Sequence, residues 1–173
     1  MDNVNSLAHR IHAVSQLRGS FVLRSGETSH VYFDKYRFEA DPALLRDIAE
    51  AMVKLVPGET EVLAGLELGG VPVCTALSLT TGLRAAFVRK VAKDYGTMKL
   101  CEGAEIAGKK VCVIEDIIST GGQVLESIGH LRELGADIIG VCCVIRRSGF
   151  EQGALSAADI PVHALLRQED FPS

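Results

Sequence analysis

Apolar residues at Val4, Leu7, Ile11, Val14 and Leu17 recur every three or four positions, the spacing of one buried helical face. They predict an N-terminal helix over residues 4–17. Two short apolar runs, 21–23 and 31–33, flank Ser25-Gly26 and read as strands around a turn. Asp41-Pro42 opens the next helix, because aspartate caps unpaired amides and proline is pre-set for the first turn. That helix carries Leu44, Leu45, Ile48, Met52 and Leu55 and stops at Pro57-Gly58.

Beyond Gly58 short apolar runs alternate with helical patterns. Residues 62–66 predict a strand, and Gly69-Gly70 lead into a helix that ends near Thr81-Gly82. Strands follow at 85–88 and 111–114, the second wholly apolar, as a strand buried on both faces must be. Val124, Ile128 and Leu131 mark a helix that Gly135 terminates. Residues 138–145 and 162–166 predict the last two strands, with little structure expected beyond Leu166. Such alternation implies right-handed crossovers and an α/β fold, a mostly parallel central sheet flanked by helices. Ligands of these sheets bind beyond the carboxyl ends of the strands. The loops after Leu66, Val88 and Glu115 therefore share one rim.

Composition narrows the class. At 47% hydrophobic and 23% charged, the 173 residues suit one folded domain rather than a disordered chain. A net charge of −4 argues against a nucleic-acid-coating protein, yet leaves room for local basic clusters that bind a small anion. Cys74, Cys101, Cys112, Cys142 and Cys143 lack paired CxxC spacing, which favours buried thiols in a reducing compartment over zinc or disulfides. Residues 1–10 hold no apolar stretch like a signal peptide, and no apolar run approaches the ~20 residues of a membrane span. The expectation is a soluble, cytoplasmic protein without membrane or nucleic-acid partners.

The densest chemistry lies in Val111-Cys-Val-Ile-Glu-Asp-Ile-Ile-Ser-Thr-Gly-Gly-Gln123. Gly121 and Gly122 let backbone amides approach a ligand, and the following helix presents unpaired N–H groups and a positive dipole end. Ser119 and Thr120 add hydroxyl donors, completing a nest for a phosphate monoester. Glu115 and Asp116 would repel a phosphate unless they served another part of the ligand, such as vicinal ribose hydroxyls or a magnesium ion. A tight turn with helix-capping acids is the bland alternative. GxxxxGK is absent, so this is no Walker loop.

A second cluster spans 84–99, where Arg84, Arg89, Lys90, Lys93 and Lys99 face one acid, Asp94. Charged runs usually mean a solvated loop. This one follows a strand on the same rim as the phosphate nest. Cations on such a loop would stabilise a leaving diphosphate and exclude water.

The thirteen-residue segment resembles the phosphoribosyl-pyrophosphate signature of type I phosphoribosyltransferases. Phe21-Val-Leu-Arg24-Ser25-Gly26, continuing to Asp34, and Arg89-Lys90-Val-Ala-Lys93-Asp94-Tyr95-Gly96 resemble the N-terminal and catalytic-loop segments of the orotate phosphoribosyltransferase family, and Cys101-Glu102-Gly103 the element after that loop. The resemblance implies one domain over 1–173, with 1–40 forming an N-terminal helix and a hood over the base site, and 41–166 the core. It implies transfer of phosphoribosyl from 5-phosphoribosyl 1-diphosphate (PRPP) to orotate, with magnesium held mainly by the substrate and Asp116 available to it. By matched position, Glu115 and Asp116 hold ribose, while Ser119, Thr120, Gly121, Gly122 and Gln123 hold the 5′-phosphate. Arg89, Lys90, Lys93 and Tyr95 serve the diphosphate, and Arg89, Lys90, Lys93 and Asp116 are the catalytic candidates. Arg24, Tyr32, Phe33, Ser119 and Arg147 are the orotate-site candidates. The family loop reaches into a neighbouring subunit, implying a homodimer with shared sites.

Four positions depart from common family patterns: Tyr95 for histidine, Gly69 for lysine, Arg24 for lysine, and Arg146 for aspartate beside Arg147. A phosphoribosyltransferase for another base is one alternative. A PRPP-sensing, nucleic-acid-binding regulator is another, since fold alone does not fix function. None of the five histidines shows ligand spacing, and no GxSxG nucleophile motif occurs.

Overall fold

The computed structural model describes residues 2–23, 25–91, 100–151 and 153–172. Helix α1 (Asp2–Ser15) leads directly into a hairpin of β1 (Gln16–Val22) and β2 (Thr28–Phe33). The helix ends two residues earlier than its apolar spacing suggested. Leu17 pairs with Tyr32 in the antiparallel ladder, so its backbone is committed to the hairpin. A one-turn helix, α2 (Tyr36–Glu39), follows unheralded by any periodicity. In α3 (Pro42–Met52) the Asp41 carboxylate accepts N–H bonds from Ala43 and Leu44, both at 3.0 Å. That is the expected cap.

The core sheet contains β3 (Val62–Leu66), β4 (Arg84–Val88), β5 (Cys101–Gly103), β6 (Lys110–Ile118), β7 (Asp137–Arg146) and β8 (Val162–Arg167). Their spatial order is β5-β4-β3-β6-β7-β8, parallel throughout except that β5 runs antiparallel to β4. Between them lie α4 (Gly70–Thr81), α5 (Gly122–Glu133) and the short α6 (Ala154–Ala157). Strand β5 and helix α6 were not foreseen. Three residues and four residues are too short to leave a periodic signature.

Alternate residues of each central strand enter opposite layers. Val62, Ala64, Val111 and Val113 pack with Val124, Ile128 and Leu131 of α5. Leu63, Cys112 and Ile114 pack with Ile11 of α1, Leu44, Ile48 and Met52 of α3, and Val73 and Leu77 of α4. Each such aliphatic side chain contributes roughly 1.5–3 kcal/mol through burial. The two-sided packing explains why 111–114 carries no polar residue.

Strand β6 runs four residues further than its apolar stretch. Pairing with β3 stops at Gly65–Ile114, whereas pairing with β7 continues to Ile118–Arg146. Glu115 and Asp116 thus lie within a strand whose β3-facing edge has become free.

Residues 167–172 are ordered, contrary to expectation. A 3-10 turn, Gln168–Asp170, is closed by the Asp170 carboxylate accepting the Arg167 N–H at 2.7 Å. Phe171 then packs edge-on to Phe33, with ring centroids 6.0 Å apart. A single aromatic in a polar tail gave no periodic signal of this.

Candidate active site

Where β6 outruns β3, its free amides turn to the acids themselves. Glu115 Oε1 accepts from the Asp116 N–H at 2.9 Å, and Asp116 Oδ1 accepts from the Ile117 N–H at 2.5 Å. Asp116 is 0% exposed, and its Oδ2 lies 2.6 Å from Lys35 Nζ. Lys35 stands just ahead of α2, and Glu39, 7% exposed, closes that helix. Apart from carboxyl protons, no donor satisfies Glu39 Oε1, and Asp116 Oδ2 meets the Lys35 ammonium as an ion pair.

Burial, then the adjoining Asp116, pushes the Glu39 carboxyl up to about 9, and the same two causes raise Glu115 well above its ordinary value. Burial also opposes ionisation of Asp116, but hydrogen bonds with Glu115 and Glu39 and the Lys35 ammonium outweigh it and hold Asp116 below the usual carboxylate range. Burial pulls Lys35 down, and Asp116 and Glu115 more than restore it. At neutral pH the Lys35–Asp116 ion pair therefore lies beside a protonated Glu39, with Glu115 shifted in the same direction.

Gly69 is what makes room for this cluster. A Cβ at Gly69 would drive into the Asp116 carboxylate and come within 2.9 Å of Glu39 Oε1. The departure at this position thus has a local cause: the acid cluster occupies the space a side chain would need.

Beyond β6, Gly121 takes φ +76°, a left-handed turn that aims the chain into α5. A side chain here would also collide with Leu155. The first amides of α5 lack intrahelical acceptors, and they open beside Ser119 and Thr120, both exposed. Gln123, on the first turn of α5, shares a small recess with Glu115, Glu67, Arg89 and Lys90. The three strand ends therefore converge as the topology required. Glu67 latches the recess, its Oε1 accepting the Lys90 N–H at 2.7 Å. Arg89 N–H donates to the Leu100 carbonyl at 2.9 Å, closing the root of the basic loop.

A separate cleft of about 380 Å³ opens under the hairpin, lined by Leu23, Val31, Tyr32, Phe33, Arg147 and Phe171 among others. That volume suits a small planar ligand. The Arg147 guanidinium lies 5.6 Å from the Phe33 ring centroid, and Tyr32 stacks on Phe21 at 5.5 Å. Arg146 faces Glu151 at 3.2 Å and the Phe150 ring at 4.8 Å. The two adjacent arginines thus have separate partners. Arg24, Lys93 and Tyr95 lie outside the described residues.

Residues 36–152 match the model of the phosphoribosyl transferase domain. An orotate phosphoribosyltransferase of Nocardioides sp. is 48% identical over 166 residues, 96% of this chain and 93% of its own. The chain belongs to the orotate phosphoribosyltransferases. Their fold is equally close in Mycobacterium tuberculosis H37Rv, whose orotate phosphoribosyltransferase in complex with Fe(III) dicitrate superposes with a TM-score of 0.87 at 30% identity, covering 97% of this chain and 98% of that one. The same protein solved in complex with PRPP gives 0.82 at 28% identity, with the same coverage.

Against the family pattern, the acid pair, the glycine turn and the roots of the basic loop meet on one rim, while Tyr32, Phe33 and Arg147 meet in the neighbouring cleft. Ser119 is exposed at the rim and is not among the residues lining that cleft. Four residues escaped sequence reasoning. Lys35 and Glu39 fall just past the segment that ends at Asp34, Glu67 is a lone acid at a strand end, and Phe171 lies in the tail. Only the four-residue spacing of Lys35 and Glu39 hints at a shared helical face.

Proposed function

We propose that this chain joins the nitrogen of orotate to the anomeric carbon of PRPP, releasing diphosphate and forming orotidine 5′-monophosphate for pyrimidine nucleotide synthesis. The observation that carries the reading is the convergence of the acid pair, the α5 amides and the Arg89–Lys90 root beside an aromatic cleft holding one arginine. In this reading Asp116 and Glu115 hold the ribose hydroxyls, and the Ser119–Gln123 segment receives the 5′-phosphate. Arg147 meets the orotate carboxylate, with Tyr32 and Phe33 around the base and Arg24 assigned to it.

Chemistry consists of breaking the carbon–oxygen bond to diphosphate as the carbon–nitrogen bond forms, through a ribosyl cation-like transition state. Charge leaves with the diphosphate, so Arg89, Lys90 and Lys93 stabilise the departing group and exclude water, and Tyr95 is assigned to the same group. Holding both reactants in line supplies much of the remainder. Among the described residues no cluster of three or more His, Cys, Asp or Glu side chains is built to hold a metal, and Asp116 already faces Lys35. These donors suit a magnesium ion that keeps its waters and rides on the diphosphate. Bound there, it would neutralise the leaving group.

The basic loop acts across a homodimer in this reading, and the free thiols suit a reducing, cytoplasmic setting. Two inactive homodimers, Arg89→Ala/Lys93→Ala and Asp116→Asn, regain activity on mixing when sites are shared, and stay inactive when they are not. The central test is a panel of orotate, uracil, hypoxanthine and adenine with PRPP and magnesium. Orotate should be consumed at least a hundredfold faster than the others. Preference for a base without a carboxylate would remove the role given to Arg147.

A further inference from the structure

A buried carboxylate is a poor host for a ligand carrying several phosphate charges, and Asp116 keeps its charge while 0% exposed. Lys35 is the cation placed to relieve this, with its Nζ 2.6 Å from Asp116 Oδ2 and its side chain 32% exposed. It reaches Asp116 from the short segment between the hairpin and α2, one residue past the family-like stretch that ends at Asp34. Resting on the functional reading above, we propose that Lys35 is a positioning residue that neutralises and aims the Asp116 carboxylate, so that the acid pair can receive the ribose of an anionic sugar diphosphate.

Three features argue that the pair is built rather than incidental. Asp116 is wholly buried, so no solvent competes for its charge. Lys35 is anchored at the start of α2, whose buried Phe38 sits in the core with Ile11 and Leu44. Gly69 leaves room for the same Oδ2 that Lys35 meets, since a side chain there would displace the carboxylate. Removing the ammonium would leave a buried carboxylate facing the incoming phosphates with no cation to balance its charge. Its effect should fall on the sugar diphosphate, not on the base.

The test uses the full chain with orotate, PRPP and magnesium. Lys35→Gln should raise the KM for PRPP at least tenfold while moving the orotate KM less than twofold, and Lys35→Arg should restore most of the loss. Calorimetric titration with PRPP then closes a cycle with Asp116→Asn. In that background Lys35→Gln should weaken PRPP binding no further, because the charge it compensates is gone. An unchanged PRPP KM in Lys35→Gln, an arginine no better than glutamine, or losses that multiply independently in the double variant would each overturn the proposal. Failure of the wild-type chain to turn over orotate would instead strike the underlying functional reading, so the two failures are separable.

Discussion

Arg147 lies against the face of Phe33, with 5.6 Å between the guanidinium carbon and the ring centroid, while Phe171 meets the same ring edge-on. The arginine is thereby held on an aromatic surface at the wall of the cleft, its planar donors available to a carboxylate. Arg147→Ala should raise the KM for orotate about tenfold to a hundredfold, matching the ~1.5–3 kcal/mol of a charge-assisted hydrogen bond. The KM for PRPP should change little. Lysine at this position should recover only part of the loss, because it lacks the planar fork. Equal damage to both Michaelis constants would assign Arg147 a structural role.

Phe171 extends the cleft with a residue from the very end of the chain. Phe171→Ala removes an edge-on aromatic contact of ~0.5–1.5 kcal/mol and loosens Phe33 beneath the arginine. The orotate KM should rise by roughly threefold to tenfold, and steady-state kinetics on this variant decide it. A chain ending at Arg167 should behave alike. Kinetics identical to wild type would show that the tail merely covers the core.

Glu67 joins the loop after β3 to the root of the basic loop through the Lys90 amide. Glu67→Ala frees that root, and Arg89 and Lys90 lose a fixed starting point. Turnover should fall about tenfold or more, from loss of a hydrogen bond to a charged group worth ~1.5–3 kcal/mol. The thermal midpoint should scarcely move, since the bond lies at the exposed rim. Single-turnover measurement separates slowed chemistry from slowed release.

Much of this architecture is legible in the residues themselves. The parallel core follows from apolar runs such as 111–114, and Asp41-Pro42 marks its helix start to the residue. Glu115, Asp116 and Gly121 announce themselves because their chemistry is concentrated in thirteen consecutive positions. Lys35, Glu39 and Glu67 do not, because their significance comes from folding rather than neighbours in sequence. Lys35 gains meaning only when the hairpin returns it to Asp116, 81 positions away by the difference of their numbers. Leu17 misleads for a related reason: its helical spacing loses to the ladder bond partners that Tyr32 offers.

Gly69→Ala tests the crowding around Asp116 directly. A single methyl group has to displace a buried carboxylate and a buried glutamic acid, and overpacking of this kind costs roughly 1–3 kcal/mol. The variant should unfold at a lower temperature and bind PRPP at least tenfold more weakly. Wild-type PRPP binding by calorimetry would mean that the carboxylate can shift without consequence for the ribose site.

Glu39 supplies a pH dependence whose sign can be worked out. Its carboxyl is pushed up to about 9 by burial and by Asp116, against an ordinary value of 4.5. Between those values the folded chain holds a proton that the unfolded chain has released. Stability from this group is therefore fully present below pH 4.5 and is lost as pH rises towards 9. Glu39→Gln keeps the shape and removes the titration, so its advantage over wild type should widen steadily from pH 5 to pH 8.5. Urea midpoints measured across that range check it, with the slope of each transition confirming that the denatured states match. A difference between the two proteins that stays flat with pH would mean that Glu39 is ionised in the fold, and that Lys35 balances more charge than one carboxylate.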